Sequence, residues 1–135
     1  MSREIKFRGL TKDSKWVYGN LITTIYKGGF VTAIQEEIDD ESIPIYEPLP
    51  IRVIFNSRTI CQYSGLKDID GVEIYEGDIL YDYLGNKYIV EYKNGSFAIK
   101  YPYCDDYWSL YDFINIKNLE VSGNIFENED LLEDK

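Results

Sequence analysis

The sequence predicts a mainly β protein, and three observations carry that expectation. Tyrosine occurs 13 times in 135 residues, and Ile, Val, Phe and Thr add to the strand formers. Apolar and polar residues alternate along short segments, Lys87 to Lys93 most clearly. Glycine-bearing turn signals separate those segments: Lys27-Gly28-Gly29, Leu84-Gly85-Asn86-Lys87 and Asn94-Gly95. The expected architecture is an N-terminal β-arm or hairpin region packed with a C-terminal SH3-like β-barrel or roll. It is expected as a single domain over 1–135. The arm covers 1–50 and includes an acidic, proline-bearing loop at 36–50. The roll covers 51–126 and an acidic tail covers 127–135.

Each element has a local reason. Ile5-Lys6-Phe7-Arg8 alternates and reads as a half-buried strand, ended by the turn Thr11-Lys12-Asp13-Ser14. Lys15 to Tyr26 is a second strand with a bulge or bend at Gly19-Asn20, and Phe30 to Gln35 returns after the Lys27-Gly28-Gly29 turn. From Glu36 to Pro50, five clustered acids precede Pro44, Pro48 and Pro50, which break both helix and ladder. Ile51 to Phe55 and Thr59 to Tyr63 are short strands around Asn56-Ser57-Arg58. Ser64 to Gly71 reads as a turn-rich connection.

Glu73 to Tyr81 follows as extended chain. In Lys87 to Lys93, Tyr88, Val90 and Tyr92 fall on one face, and Lys87, Ile89, Glu91 and Lys93 on the other. Ser96 to Tyr101 pairs back across Asn94-Gly95. Trp108 to Ile116 fits a helical turn or a strand equally, since periodicity does not separate them at that length. Leu119 to Phe126 is the last strand, and Leu131-Leu132 marks a short helix in the tail.

Composition excludes several classes of chemistry. The chain has no histidine, which removes imidazole acid–base catalysis and Ser-His or Cys-His nucleophiles. Cys61 and Cys104 stand far apart without a CxxC, so neither a disulfide framework nor a cysteine zinc site is expected, and both read as structural thiols. Apolar runs are too short to span a bilayer, and Met1 to Lys6 has no apolar signal core. No cofactor is implied. Residues 1–68 hold nine bases and nine acids, while residues 69–135 hold five bases and 15 acids, so the whole net charge of −10 sits in the second half. Such a body repels phosphate backbones and suits a partner with a basic surface. The basic residues Arg3, Lys6, Arg8, Lys12 and Lys15 predict a small basic patch at the start.

Three groupings are candidate sites. Asp78 and Asp82 followed by Glu91-Tyr92-Lys93 have the carboxylate, carboxylate-x-lysine spacing of Mg²⁺-dependent nucleases, in which the acids hold metal and the lysine orients water. The competing expectation is a solvent-facing strand with ordinary cross-strand pairs. Asp68-Ile69-Asp70-Gly71 approaches a Ca²⁺ loop but lacks the later bidentate acid, and reads as a β-turn. Tyr101, Tyr103, Tyr107, Trp108, Tyr111 and Phe113 place six aromatics in 13 residues, with Asp105, Asp106 and Asp112 as companions. Base-stacking platforms pair aromatics with Lys or Arg, so this segment points to a protein interface or subunit contact, shared with core packing. No catalytic, metal or cofactor residue is assigned. Tyr101, Tyr103, Tyr107, Trp108 and Tyr111 are the candidate interaction surface.

Longer motifs carry a family resemblance. Arg3-Glu4-Ile5-Lys6-Phe7-Arg8-Gly9 opens the chain and Trp16-Val17-Tyr18-Gly19 follows. Then come Gln62-Tyr63-Ser64-Gly65-Leu66-Lys67-Asp68, Asp70-Gly71, Glu73-Ile74-Tyr75-Glu76-Gly77-Asp78-Ile79, Gly123-Asn124-Ile125-Phe126-Glu127-Asn128 and Leu131-Leu132. In this order they resemble the YopX family of small phage and prophage proteins, nearly end to end. The block Gln62 to Ile79 is the most specific part. Cys61 stands where the family usually has glycine, Phe126 replaces a usual tyrosine, and Glu129-Asp130 replaces an Asn-Pro-Glu style ending. The resemblance implies a β-rich phage-encoded protein of uncharacterised function, located in the host bacterial cytoplasm, with no catalytic residues to carry over. The resulting expectation is a non-enzymatic phage accessory protein that binds another protein as a homo-oligomer. The alternatives are a Mg²⁺-dependent nuclease and a small-barrel nucleic-acid binder using the basic N-terminal face.

Overall fold

The computed structural model describes residues 4–36, 50–115 and 117–132. The loop expected at 36–50 lies, but for its end residues, outside them. Eleven strands are described, all paired antiparallel, and the chain divides into two units, Met1–Gln62 and Tyr63–Lys135. No helix among the described residues is long and apolar enough to cross a membrane.

The first unit is built on β1 (Phe7–Leu10), β2 (Trp16–Tyr26), β3 (Gly29–Glu36) and β4 (Ile51–Val53), in the order β4-β3-β2-β1. The first residues of β5 (Cys61–Lys67) lie along the free side of β1, with Phe7 opposite Gln62 and Arg8 opposite Cys61. The β2–β3 hairpin turns at Lys27 and Gly28, where φ is +51° and +81°. Two successive left-handed residues make the tight turn whose twist matches that of the flanking strands. Val17, Ile34 and Ile54 form a small core, with Phe7 and Ile60 packed against it. Gly9 lies under Ile54, whose Cδ1 would stand 2.9 Å from any Cβ added there. After β4, the Asn56 side chain accepts from the Arg58 amide, and the Thr59 hydroxyl donates to the Asn56 carbonyl while accepting from the Leu10 amide at 3.0 Å.

The start of the chain departs from the expected facing at three of its four residues, while Phe7 packs against the core. Ile5 is exposed, whereas Lys6 and Arg8 are buried. Lys6 Nζ lies 3.3 Å from the Glu4 carboxylate, and the Arg8 guanidinium lies 4.4 Å from the centre of the Trp16 ring. Both side chains carry apolar stems that cover their neighbours while the charged end finds a carboxylate or an aromatic face. Alternation showed that a strand was there but not which face would be inside.

In the second unit, β5 from Tyr63 onward pairs with β6 (Glu73–Tyr75). The strand runs on to Lys67, further than the expected boundary at Tyr63, and the connection shrinks to residues 68–72. Gly65, at φ +86°, lies in the register shift between Tyr63 and Lys67, and this irregularity lets the pairing resume. A second sheet follows: β7 (Asp78–Tyr81), β8 (Lys87–Lys93), β9 (Ser96–Lys100), β10 (Trp108–Ser109) and β11 (Glu120–Asn124), in the order β10-β9-β8-β7-β11. This meander, with its last strand returned to the first, is consistent with an SH3-like roll. The Asn94-Gly95 turn forms as expected, with φ +53° and +85°. The undecided segment after residue 107 proves to be both things: two strand residues, then one helical turn, α1 (Leu110–Phe113), capped by the Ser109 hydroxyl accepting from the Asp112 amide.

Ile74, Leu80, Val90, Ile99, Leu110 and Leu119 are fully buried and define the core, joined by Tyr88 and Phe97. Each such aliphatic side chain contributes about 1.5–3 kcal/mol on burial. Tyr88 and Val90 face inward as expected, but Tyr92, at the turn end of β8, is half exposed against Phe97 at 5.0 Å.

The end of β11 tests this packing. A Cβ at Gly123 would lie 2.5 Å from Asn128 Oδ1, the oxygen that accepts from the Asn124 amide. Gly123→Ala is expected to displace that cap and destabilise the protein by about 1–3 kcal/mol. Urea denaturation measures this, and an unchanged midpoint would contradict the close approach.

Candidate functional site

The buried acids of the second unit are occupied by backbone. Asp68 Oδ1 accepts from the Asp70 and Val72 amides at 2.9 and 2.8 Å, and its Oδ2 accepts from the Val121 amide at 2.8 Å. Asp78 Oδ2 accepts from the Tyr75 amide at 2.8 Å. Asp82 Oδ1 accepts from the Leu84 and Asn86 amides, both at 2.9 Å, while Oδ2 accepts from the Asn86 side chain at 3.0 Å and the Tyr88 hydroxyl at 2.8 Å. Asn124 Oδ1 accepts from the Phe126 and Glu127 amides. These are turn positions where ladder partners are missing, and a short acidic or amide side chain supplies the acceptor.

The nuclease grouping is therefore not assembled. Leu80 faces Tyr88 across the β7–β8 ladder, so strand alternation puts Asp78 on the core face and Glu91 and Lys93 on the opposite one. Asp82 spends both oxygens closing the β7–β8 loop. Glu91 instead bonds the Tyr107 hydroxyl, and Lys93 Nζ lies 4.2 Å from the centre of that ring. Among the described residues, no group of three or more Asp, Glu or Cys is placed to hold a metal ion. Of the expected basic N-terminal patch, Lys6 and Arg8 are buried, Lys12 and Lys15 are exposed, Lys15 lying 3.9 Å from Asp13, and Arg3 lies outside the described residues.

The aromatic segment splits into two roles. Tyr101 stacks on Tyr88 at 5.0 Å, Trp108 meets Tyr101 edge-on at 5.2 Å, and Phe113 meets Trp108 at 6.2 Å. Trp108 and Phe113 pack against the core, so this chain of rings ties β10 and α1 to the sheet. Tyr103 and Tyr111 do not share that role, being 79% and 75% exposed, and Asp105, Asp106 and Asp112 are exposed beside them in sequence. Tyr107 is intermediate, between Lys93 and Lys100, whose Nζ atoms lie 4.2 and 5.8 Å from its ring. Cys61 is buried and Cys104 half-buried, and neither is in a disulfide.

Three titrations follow from these contacts. Burial pushes the Asp82 carboxyl up, but the Asn86 side chain and amide, the Tyr88 hydroxyl and the Leu84 amide outweigh it and hold the group below its ordinary value. Burial, the Tyr101 hydroxyl and the Asp82 carboxylate push the Tyr88 phenol well above the usual range. The Glu91 hydrogen bond raises Tyr107, with Lys100 opposing.

The chain matches the YopX protein family over residues 6–133. It belongs to the YopX family. The crystal structure of protein EF1440 from Enterococcus faecalis superposes with a TM-score of 0.59 at 27% identity, covering 98% of this chain and 100% of that one. No curated protein matches it. The YopX block from Gln62 to Ile79 now has physical content. Asp68 and Asp78 cap turns, Tyr63 and Tyr75 are buried 5.3 Å apart, and Gly65, Gly71 and Gly77 take positive φ.

One site went unnoticed in the sequence. The tip of the β2–β3 hairpin exposes Ile25 and Phe30, which face each other across the ladder. The signal was present in part: Ile25 and Tyr26 are adjacent, so their side chains point to opposite faces of the strand and both faces carry large side chains.

Asp82→Asn tests the capping role. Replacing one oxygen by a donor amide removes at least one acceptor, and the expected loss at neutral pH is about 1–3 kcal/mol. Because the folded carboxyl titrates below its unfolded value, its contribution is complete above the unfolded value and is lost as pH falls through the folded one. From about pH 5 downward, the urea midpoint of the wild type should fall more steeply than that of Asp82→Asn. Parallel pH profiles would contradict the assignment.

Proposed function

We propose that this YopX chain is a phage or prophage accessory protein that works without catalysis, by binding protein in the host cytoplasm, and that it does so as a homo-oligomer. The observation that carries this reading is that Tyr103 and Tyr111 are exposed in a segment that also exposes Asp105, Asp106 and Asp112. Exposed aromatic side chains are characteristic anchors of protein interfaces. Their acidic companions repel phosphate and favour a partner with a basic surface. The acids that would have served a nuclease are engaged in holding turns, which supports a binding role over a reaction.

Light scattering coupled to size exclusion is the direct test, with a mass above 15.8 kDa expected. A monomer at high micromolar concentration would remove the oligomer. A gel shift with duplex and single-stranded DNA at ionic strength giving a Debye length of about 8 Å should show no retention. Specific retention there, or DNA cleavage in Mg²⁺, would overturn the reading.

A further inference from the structure

The outer side of β2 is an open sheet edge. β1 pairs with β2 only from Trp16 to Gly19. Among the described residues, no strand lies along β2 from Leu21 to Ile25 on that side. The other side of the hairpin fixes which backbone groups point there. The Ile54 amide donates to the Thr32 carbonyl, and the Glu36 amide to the Pro50 carbonyl. Even-numbered residues of β3 therefore aim their backbone groups at β4, and odd-numbered ones aim theirs at β2. The register pairs Gln35 with Asn20, Ala33 with Ile22 and Val31 with Thr24, so β3 engages the even-numbered residues of β2. Leu21, Thr23 and Ile25 are left presenting N–H and C=O outward.

That edge lacks the usual protection. Native sheets blunt a long open edge with charges, proline or a bulge. Residues 19–26 contain no charge and no proline, and their pairing with β3 runs without a register shift. Leu21, Thr23 and Ile25 also share one face with their cross-strand partners Ile34, Thr32 and Phe30. Ile34 belongs to the small core of this unit, while Leu21 is 40%, Ile25 68% and Phe30 80% exposed. The apolar face of the sheet thus runs past its core into water.

The order of these residues selects a second copy of the same edge. Two β2 strands set antiparallel about a two-fold axis at Thr23 bring Leu21 opposite Ile25 of the second copy. Thr23 then lies opposite its own equivalent. Each of these pairs exchanges both N–H···O bonds, because every member points its backbone outward. The side chains form rows across four strands. Phe30 and Ile25 of one copy continue into Leu21 and Ile34 of the other, and the Thr32–Thr23 pair meets its own image. Apolar meets apolar and threonine meets threonine, pairings that stabilise a sheet. The open edge ends on one side where Phe7 pairs with Gly19, and on the other at the Lys27-Gly28 turn, so the match spans its length. Residues 1–62 hold eight bases and eight acids, so the unit that carries the edge has no net charge to keep two copies apart.

We infer that two copies of this chain join edge to edge through β2, antiparallel about Thr23, continuing the β2–β3 ribbon of one into that of the other. The inference rests on the homo-oligomer reading above and gives it a symmetry, an isologous two-fold contact.

Charge placed at the axis tests it. Thr23 is exposed, so Thr23→Lys and Thr23→Glu should both fold, and circular dichroism and urea denaturation verify it. By light scattering the wild type should run at twice 15.8 kDa. Each variant alone sets like charges directly opposite and should run at the monomer mass, its self-association weakened at least about tenfold. An equimolar mixture should recover the dimer, because an ammonium then meets a carboxylate across the axis. In wild type, the Leu21, Thr23 and Ile25 amides should exchange hydrogen more slowly in the dimer than after dilution to monomer, a readout that needs no variant. A monomeric wild type removes both this inference and the oligomer reading. An oligomeric wild type whose mass Thr23→Lys leaves unchanged, variants that stay monomeric when mixed, or exchange at those amides that ignores dilution to monomer would overturn this inference alone.

Discussion

The second unit depends on one constraint: a backbone amide at a tight turn has no ladder partner, and leaving it buried without an acceptor costs about 1–3 kcal/mol. The strands of this unit are short and its turns many, so such amides recur. Asp68, Asp78, Asp82 and Asn124 meet them, one side chain per turn. Asp68 does more than close its own turn. Its second oxygen takes the Val121 amide, which joins the β5–β6 connection to the last strand, 53 residues further on. The Ile69 amide donates to the Leu119 carbonyl beside it. Local turn chemistry and long-range closure are thereby carried by one carboxylate.

The same constraint explains why acids in this chain imitate catalytic groups. A carboxylate, a short gap and a further carboxylate is what turn capping produces along a meander, since each turn needs its own acceptor. Spacing does not separate that from metal ligation, because both place acids near strand ends. Facing separates them, and facing depends on register. Once Leu80 lies opposite Tyr88, Asp78 is turned toward the core and Glu91 away from it. The Tyr88 hydroxyl donating to Asp82 then shows what the buried oxygens are for.

Much of the fold was legible for equally local reasons. Asn94-Gly95 and Lys27-Gly28 specify left-handed backbone, so their hairpins follow from two residues each. Lys87 to Lys93 forms the strand its alternation describes, with the same bounds. What failed was orientation. Ile5-Lys6-Phe7-Arg8 alternates equally well either way round, and cationic side chains with long stems can occupy the inner face when a carboxylate or an indole meets the charge. The segment from Trp108 resisted assignment because it is short and changes type midway, at Ser109. The family motifs were legible throughout, and their reasons became so only when each residue could be matched to a turn.

Exposure was the quantity the sequence did not carry, and the functional argument turns on it. Trp108 and Phe113 share a segment with Tyr103 and Tyr111, yet the first two are packed on the core and the second two stand in water. Composition treats all four alike. A tyrosine in water is tolerable because its hydroxyl is solvated, so Tyr103 and Tyr111 alone would be weak grounds for an interface. Phe30 has no such handle. A phenylalanine held at the end of a two-stranded ribbon buries almost none of its ring and stabilises neither strand strongly. A residue that adds so little to the fold that displays it is better explained by what it can cover elsewhere.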